Sequence, residues 1–211
     1  MSAGRVVLWR HGRTAWNAGE RFQGQTDTDL DDVGVVQAAE AAGMLAGTRP
    51  AAVVASDLRR AARTAAALAA VTGLPVATDR DLRELDAGAW QGLLRSEIEQ
   101  RWPQEFSAWQ SGEDVAVGGG ERRSDVAART AAAVERHAGG LDEDDLLVVA
   151  SHGGALRGAM LQMLGLPLAA WGAFSGLANT HWAVLERRGG RGWRLAEYNV
   201  GPAGAHVGSE G

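Results

Sequence analysis

The run Leu146–Ala150, Leu-Leu-Val-Val-Ala, constrains the fold more than any other segment of the chain. It is apolar throughout, without alternation, so a strand there has to be covered on both faces. Sheets covered on both faces are mainly parallel, because crossover helices pack against each side. The rest of the sequence supplies matching pieces. Val6–Trp9, Ala52–Ala55 and Pro75–Thr78 are further short strand signals. Between them, helical patterns cover Leu30–Leu45, a segment from a Ser56 cap to about Val71, Glu121–His137 and Gly154–Leu164. Glu97–Trp109 is helical but interrupted by Pro103, which predicts two short helices. Gly118–Gly120 reads as a flexible joint, and Trp182–Leu185 with Trp193–Tyr198 flank Arg187–Gly192 as a hairpin. The expected fold class is α/β, a three-layer α/β/α sandwich around a mainly parallel central sheet. A single domain is expected over residues 1–201, with a loose tail at 202–211.

Composition narrows the function. No apolar run reaches the ~20 residues that cross a bilayer, and the segment before Arg10 is too short for a secretory signal. A cytoplasmic location is expected, with no membrane partner. The net charge of −5 argues against nucleic acid as a partner, which calls for a broad basic surface. All 21 basic residues are arginine and there is no cysteine. An anion site must therefore be built from guanidinium, imidazole or backbone N–H groups. The five histidines form no close ligand pair, and the acidic stretch Asp27, Asp29, Asp31, Asp32 lacks the glycine and terminal glutamate of a calcium loop. No metal or cofactor is expected, and the acidic stretch reads as a loop and helix start.

The residues able to do chemistry fall at predicted strand exits, where open parallel sheets bind ligands. Arg10-His11-Gly12 follows the first strand and Ser151-His152-Gly153-Gly154 the strongest one. Arg59 and Arg60 lie in the helical turn after the second, and Glu84 lies beyond the third. Each alone is ordinary; their common location is not. A neutral imidazole, fixed through its other nitrogen by a backbone carbonyl, can attack phosphorus. Guanidinium forks match the equatorial phosphoryl oxygens. A second histidine, if protonated, adds a donor. A carboxylic acid can protonate the leaving oxygen and later take a proton from water.

Taken together, Leu8-Trp9-Arg10-His11-Gly12-Arg13-Thr14-Ala15-Trp16-Asn17, Ser56-Asp57-Leu58-Arg59-Arg60-Ala61, Leu82-Arg83-Glu84 with Gly88, Trp90 and Gly92, and Ser151-His152-Gly153-Gly154 with Arg157 resemble the four motifs of the histidine phosphatase superfamily, also called phosphoglycerate mutase-like. The motifs come in family order over residues 6 to about 200. The resemblance implies a phosphohistidine at His11 and a proton donor at Glu84. It implies a phosphate pocket of Arg10, Arg60 and His152, with Asn17 as a further contact and Gln23 and Gly24 in a loop that touches substrate. The Ser-x-Leu-x-Arg-Ala spacing selects Arg60 over Arg59. Only 36 residues separate Glu84 from Glu121, shorter than the insertion with which mutases cover their phosphohistidine. Together with Gly119-Gly120-Glu121, Asp125 and Asn179-Thr180, this resembles the phosphatase branch, nearest the glucosyl-3-phosphoglycerate phosphatases. Cofactor-dependent phosphoglycerate mutases and alpha-ribazole phosphatases are the alternatives. The implied partner is a small phosphorylated metabolite, and relatives imply a homodimer with the terminal hairpin as a candidate edge. Arg122 and His181 depart from the branch pattern and are expected at the substrate mouth. Trp16, Trp90, Trp109 and Trp182 are candidates to stack on a sugar, with core and lid packing as the competing reading.

Overall fold

The computed structural model describes residues 2–187, 189 and 192–202; the expected tail falls almost wholly outside them. Four parallel strands, β1 (Arg5–Arg10), β2 (Ala52–Ser56), β3 (Val76–Asp79) and β4 (Leu146–Ser151), are extended by an antiparallel pair, β5 (Trp182–Arg187) and β6 (Trp193–Val200). The sheet order is β3-β2-β4-β1-β5-β6. Strand β4 pairs with β1 on one side and β2 on the other, so its apolar run sits at the centre.

Alternate side chains of the central strands go to opposite layers. Val6, Leu8, Leu147 and Val149 pack with α6 (Arg123–Ala138) and α7 (Gly153–Met163), through Ala133, Val134, Leu156 and Met160. Val7, Trp9, Val148 and Ala150 pack with α2 (Asp32–Ala46) and α3 (Arg59–Thr72), through Ala41, Leu45, Ala65 and Leu68. Each fully buried Leu or Val contributes roughly 1.5–3 kcal/mol, which makes this double burial the main support of the sheet. A third cluster lies apart from it. Trp90, Ile98, Phe106 and Val117 gather with Phe22 and Trp109 around α4 (Arg95–Arg101) and α5 (Pro103–Gln110), forming a cover over one end of the sheet. A four-residue helix α1 (Ala15–Ala18) follows β1. Among the described residues no helix is long and apolar enough to cross a membrane.

Two expectations are corrected. Ser56 does not cap α3: it closes β2, and Leu58 holds the cap position without a side-chain bond. Gly118–Gly120 is not a loose joint. Gly118 is left-handed at φ 58°, and a Cβ on Gly120 would stand 2.0 Å from the Asp86 carbonyl, so the glycines are wedged against the Asp86–Gly88 backbone. The break at Pro103 does separate two helices, with proline at the first position of α5, where no helical N–H is lost.

Candidate active site

The register of β1 against β4 pairs Arg10 with Ser151, so the next residues, His11 and His152, leave the sheet side by side. Their ring centroids are 5.2 Å apart. The His11 backbone N–H donates to the Ser151 carbonyl at 3.0 Å, and the Asn179 side-chain amide donates to the His11 carbonyl at 3.0 Å. Its ring Nδ1 lies 2.7 Å from the Gly12 carbonyl. A carbonyl only accepts, so Nδ1 carries the proton and the Nε2 lone pair is left for the cavity. Burial, then the charges of Arg60 and Arg10, holds the His11 pKa well below its ordinary 6.5, against an opposing pull from the Gly12 bond. The ring is therefore neutral at pH 7.

Arg60 is aimed by three partners. Its Nη1 donates to the Thr26 carbonyl at 2.8 Å, Nη2 to the Gly24 carbonyl at 2.7 Å, and Nε to His152 Nδ1 at 3.1 Å. Arg10 donates from Nη1 to the Leu177 carbonyl at 2.5 Å. Arg59, by contrast, turns outward onto Asp27 with an ion pair of 3.1 Å.

His152 is placed differently from its expected role. It is fully buried behind His11 and Arg60, and does not line the cavity. Because Arg60 donates to Nδ1, Nε2 bears the proton and donates to the Ser56 hydroxyl at 2.9 Å. Burial, then Arg60, His11 and more distant arginines, holds its pKa well below 6.5. In this arrangement the ring positions Arg60.

Glu84 sits at the start of α7. Its Oε1 accepts from the backbone N–H groups of Leu85 at 2.9 Å and Ala155 at 2.8 Å, and Oε2 from Gly154 at 3.0 Å. The Gly154 and Ala155 N–H groups come from the open first turn of the helix that begins after His152, and the Leu85 N–H from the residue that follows Glu84. A Cβ on Gly154 would lie 2.7 Å from Glu84 Oε1, so glycine there lets the carboxyl dock. The segment carrying Glu84 is itself clamped by Arg129, which donates to the backbone carbonyls of Asp81, Arg83 and Glu84 at 2.9, 2.6 and 2.8 Å. Arg129 also pairs with Glu121 at 2.7 Å. Burial raises the Glu121 carboxyl, but the Arg129 bond, the Asp86 N–H and the Arg129 charge together hold it below the usual range. The clamp on the Glu84 segment leaves no residue-type signal in the sequence, because there Arg129 bonds main-chain carbonyls.

Arg10, His11, Asn17, Gln23, Gly24, Arg60 and Glu84 all line one cavity of about 190 Å³. A single water needs only about 10–15 Å³, so there is room for far more than a phosphoryl group. Asn17 is held by Thr14 and Asn179, and the Gln23 carbonyl oxygen accepts from Thr14 and Thr28 at 2.9 and 2.7 Å. The other end of the cavity is formed by Arg21, Arg95, Arg123 and Arg157 with Phe22, Trp109 and Trp171. Of these, only Trp109 and the motif residue Arg157 stood out in the sequence. Arg122 and His181 do not reach the mouth: Arg122 turns to the Asp114 carbonyl and His181 is buried beside the Asn179 carbonyl. Trp90 and Trp182 are buried packing residues. The acidic stretch is spent on arginines and the α2 cap, with Asp27 on Arg59, Asp29 on Arg63 and Asp31 on Arg13.

Comparison with known proteins gives the same answer over the whole chain. Glucosyl-3-phosphoglycerate phosphatase from Mycobacterium tuberculosis is 41% identical over 224 aligned positions, covering 100% of this chain and 99% of that protein. A mycobacterial glucosyl-3-phosphoglycerate phosphatase solved as a complex with VO3 superimposes with a TM-score of 0.86 at 41% identity, over 92% of this chain and 98% of that one. Metal-independent phosphoserine phosphatase from Arabidopsis thaliana is 39% identical over 162 positions, 75% of this chain and 68% of that protein. The family profile of the histidine phosphatase superfamily (branch 1) matches residues 6–201, and this chain belongs to that superfamily of phosphohistidine enzymes.

Proposed function

We propose that this phosphatase hydrolyses a phosphomonoester of a small metabolite of the phosphoglycerate type, with glucosyl-3-phosphoglycerate the leading candidate. The observation that carries the chemistry is the neutral, carbonyl-anchored His11 beside two aimed guanidinium groups, with the Glu84 carboxyl on the same cavity wall. In the first step Nε2 of His11 forms a bond to phosphorus while the ester P–O bond breaks. Glu84, in its acid form, gives its proton to the leaving oxygen. Arg10, Arg60 and Asn17 hold the equatorial oxygens, and negative charge gathers where the cationic groups already point. In the second step water attacks phosphorus, the N–P bond breaks, and the Glu84 carboxylate takes the water's proton. Orthophosphate leaves and His11 returns neutral.

The substrate class is supported by the two phosphoglycerate-linked relatives and by a cavity that extends well past the phosphate end. The test is a hydrolysis screen over sugar phosphates, phosphoserine, 3-phosphoglycerate and glucosyl-3-phosphoglycerate, read as kcat/KM, together with trapping of phosphorylated His11 from a rapidly quenched reaction. Glucosyl-3-phosphoglycerate is expected to lead. Isomerisation of 3-phosphoglycerate that outruns phosphate release in the presence of a bisphosphorylated primer would replace the phosphatase reading by a mutase.

A further inference from the structure

The outer end of the cavity holds two buried arginines that the phosphoryl chemistry does not use. Arg123, at the start of α6, and Arg157, on α7, are only 5% and 6% exposed, and both line the cavity. The Arg123 guanidinium carbon stands 4.9 Å from the centre of the Trp109 ring and 5.0 Å from that of Trp171. That of Arg157 stands 4.8 Å from the Trp171 ring. Indole faces cover the flat sides of the cations, which leaves the N–H edges for a partner. Among the described residues, neither arginine has an ion pair, and Arg123 Nη1 and Arg157 Nε have no hydrogen-bond partner. Arg157 does donate to the Phe174 carbonyl and shares a side-chain hydrogen bond with Tyr198, which leaves Arg123 the less engaged of the two. Burial, then the charge of Arg157, lowers the Arg123 pKa to about 10 in spite of Asp114 nearby, which leaves the group charged at neutral pH. Two buried guanidinium groups of like charge on one cavity wall, each with one sealed nitrogen left without a partner, are costly in the empty protein, and an anion reaching their cavity-facing edges offsets that cost.

We propose that Arg123 and Arg157 form a second anion subsite that takes a carboxylate of the substrate. The enzyme then selects phosphomonoesters that also carry a carboxylate. The inference rests on the phosphatase reading above, and deepens it. A guanidinium edge matches a planar carboxylate with paired, charge-assisted bonds. Trp171 joins the two cations through its ring, so the subsite is held by one residue contributed from the 3₁₀ turn Leu168–Ala173. Glu20 lines the same cavity but is exposed at its rim, where water screens it.

The test compares 3-phosphoglycerate with glycerol 3-phosphate, which differ only in a carboxylate against a hydroxymethyl group. For the unaltered enzyme the expected ratio of kcat/KM is about 10 to 100 in favour of the carboxylate, the range of one charge-assisted hydrogen bond; a ratio near one overturns the proposal without any variant. Arg123→Met is expected to remove most of that ratio through KM, while hydrolysis of p-nitrophenyl phosphate stays within about threefold. Equal loss on both glycerol-type esters would make Arg123 a packing residue and overturn the subsite. Arg123→Lys, which keeps the charge without the fork, is expected to restore part of the ratio if Arg123→Met folds poorly; restoration of none overturns the subsite. An unaltered enzyme that hydrolyses none of the three esters would instead overturn the phosphatase reading itself.

Discussion

The two ends of the cavity are built in opposite ways. At the phosphate end, the protein's own groups already engage one another: Arg60 with the Thr26 and Gly24 carbonyls and His152, His152 with Ser56, Glu84 with the first turn of α7. At the outer end, the guanidinium groups of Arg123 and Arg157 lean on indole rings, and each keeps one buried nitrogen without a hydrogen-bond partner. The first end is tied together by hydrogen bonds among residues that follow β1, β2 and β4, the segment after β3 and the Gly24–Thr26 loop. The second is assembled from α4, α5, the start of α6 and a 3₁₀ turn, packed on a separate apolar cluster. A common chemical step needs the first construction, and a choice among substrates the second.

The largest expected effect tests whether the phosphate end works through one nucleophile. His11→Ala should lower phosphate release by at least about 10⁴-fold, the scale on which loss of a covalent nucleophile is felt. The Gly12 carbonyl and the Arg10 and Arg60 anchors remain, so substrate binding and thermal stability should persist. Substantial turnover in that variant would show that the imidazole is a spectator. It would also remove the difference between the two ends, since both would then be binding surfaces.

Next comes Glu84→Gln. With its oxygen in the Oε1 place the amide can still accept from the Leu85 and Ala155 N–H groups, while its NH2 cannot accept from Gly154, so the change removes the transferable proton and keeps two of the three docking bonds. The expected loss is about 10²- to 10⁴-fold in kcat with an alkyl phosphate. With p-nitrophenyl phosphate, whose leaving phenolate needs little protonation, the first step should be much less affected. An equal loss on both esters would mean that Glu84 only shapes the cavity.

The same contrast explains what could be read in the sequence. His11 and His152 stand between an apolar strand and a glycine, and Arg60 follows an apolar strand by four residues, so a shared strand-exit position is legible from short-range order. The Ser-x-Leu-x-Arg-Ala spacing selects Arg60, which lines the cavity, over Arg59, which faces outward onto Asp27. Ser56 was misread as a cap, since a serine before a helix has two possible uses and only the fold shows it bound to His152. Arg123 and Trp171 are separated by 48 positions and meet only through the packing of α6 against α7 and the turn beyond it. No local pattern encodes such a meeting. The Arg129 clamp was equally hidden, since there it bonds backbone oxygens of a segment far along the chain.

The smallest expected effect concerns the two neutral rings at the phosphate end. His11 and His152 are both held well below 6.5 in the folded protein, by burial first and then by neighbouring arginines. Above pH 6.5 the rings are neutral folded or unfolded, so they leave stability unchanged. As pH falls below about 6.5 the unfolded chain takes up protons that the folded one refuses, and stability drops by up to about 1.4 kcal/mol per pH unit for each ring. The drop continues until the folded pKa values are reached. Asp57, Asp79 and Glu121, whose folded pKa values are lowered, add their own loss only nearer pH 4. Melting temperature measured between pH 7 and 5 should therefore fall, and His11→Ala, with one ring fewer, should fall about half as steeply. Arg123, lowered only to about 10, stays charged throughout that range and should contribute nothing to the slope. A flat profile from pH 7 to 5 would mean that the phosphate end accepts protons as readily as water does, and that His11 is not kept neutral by its surroundings.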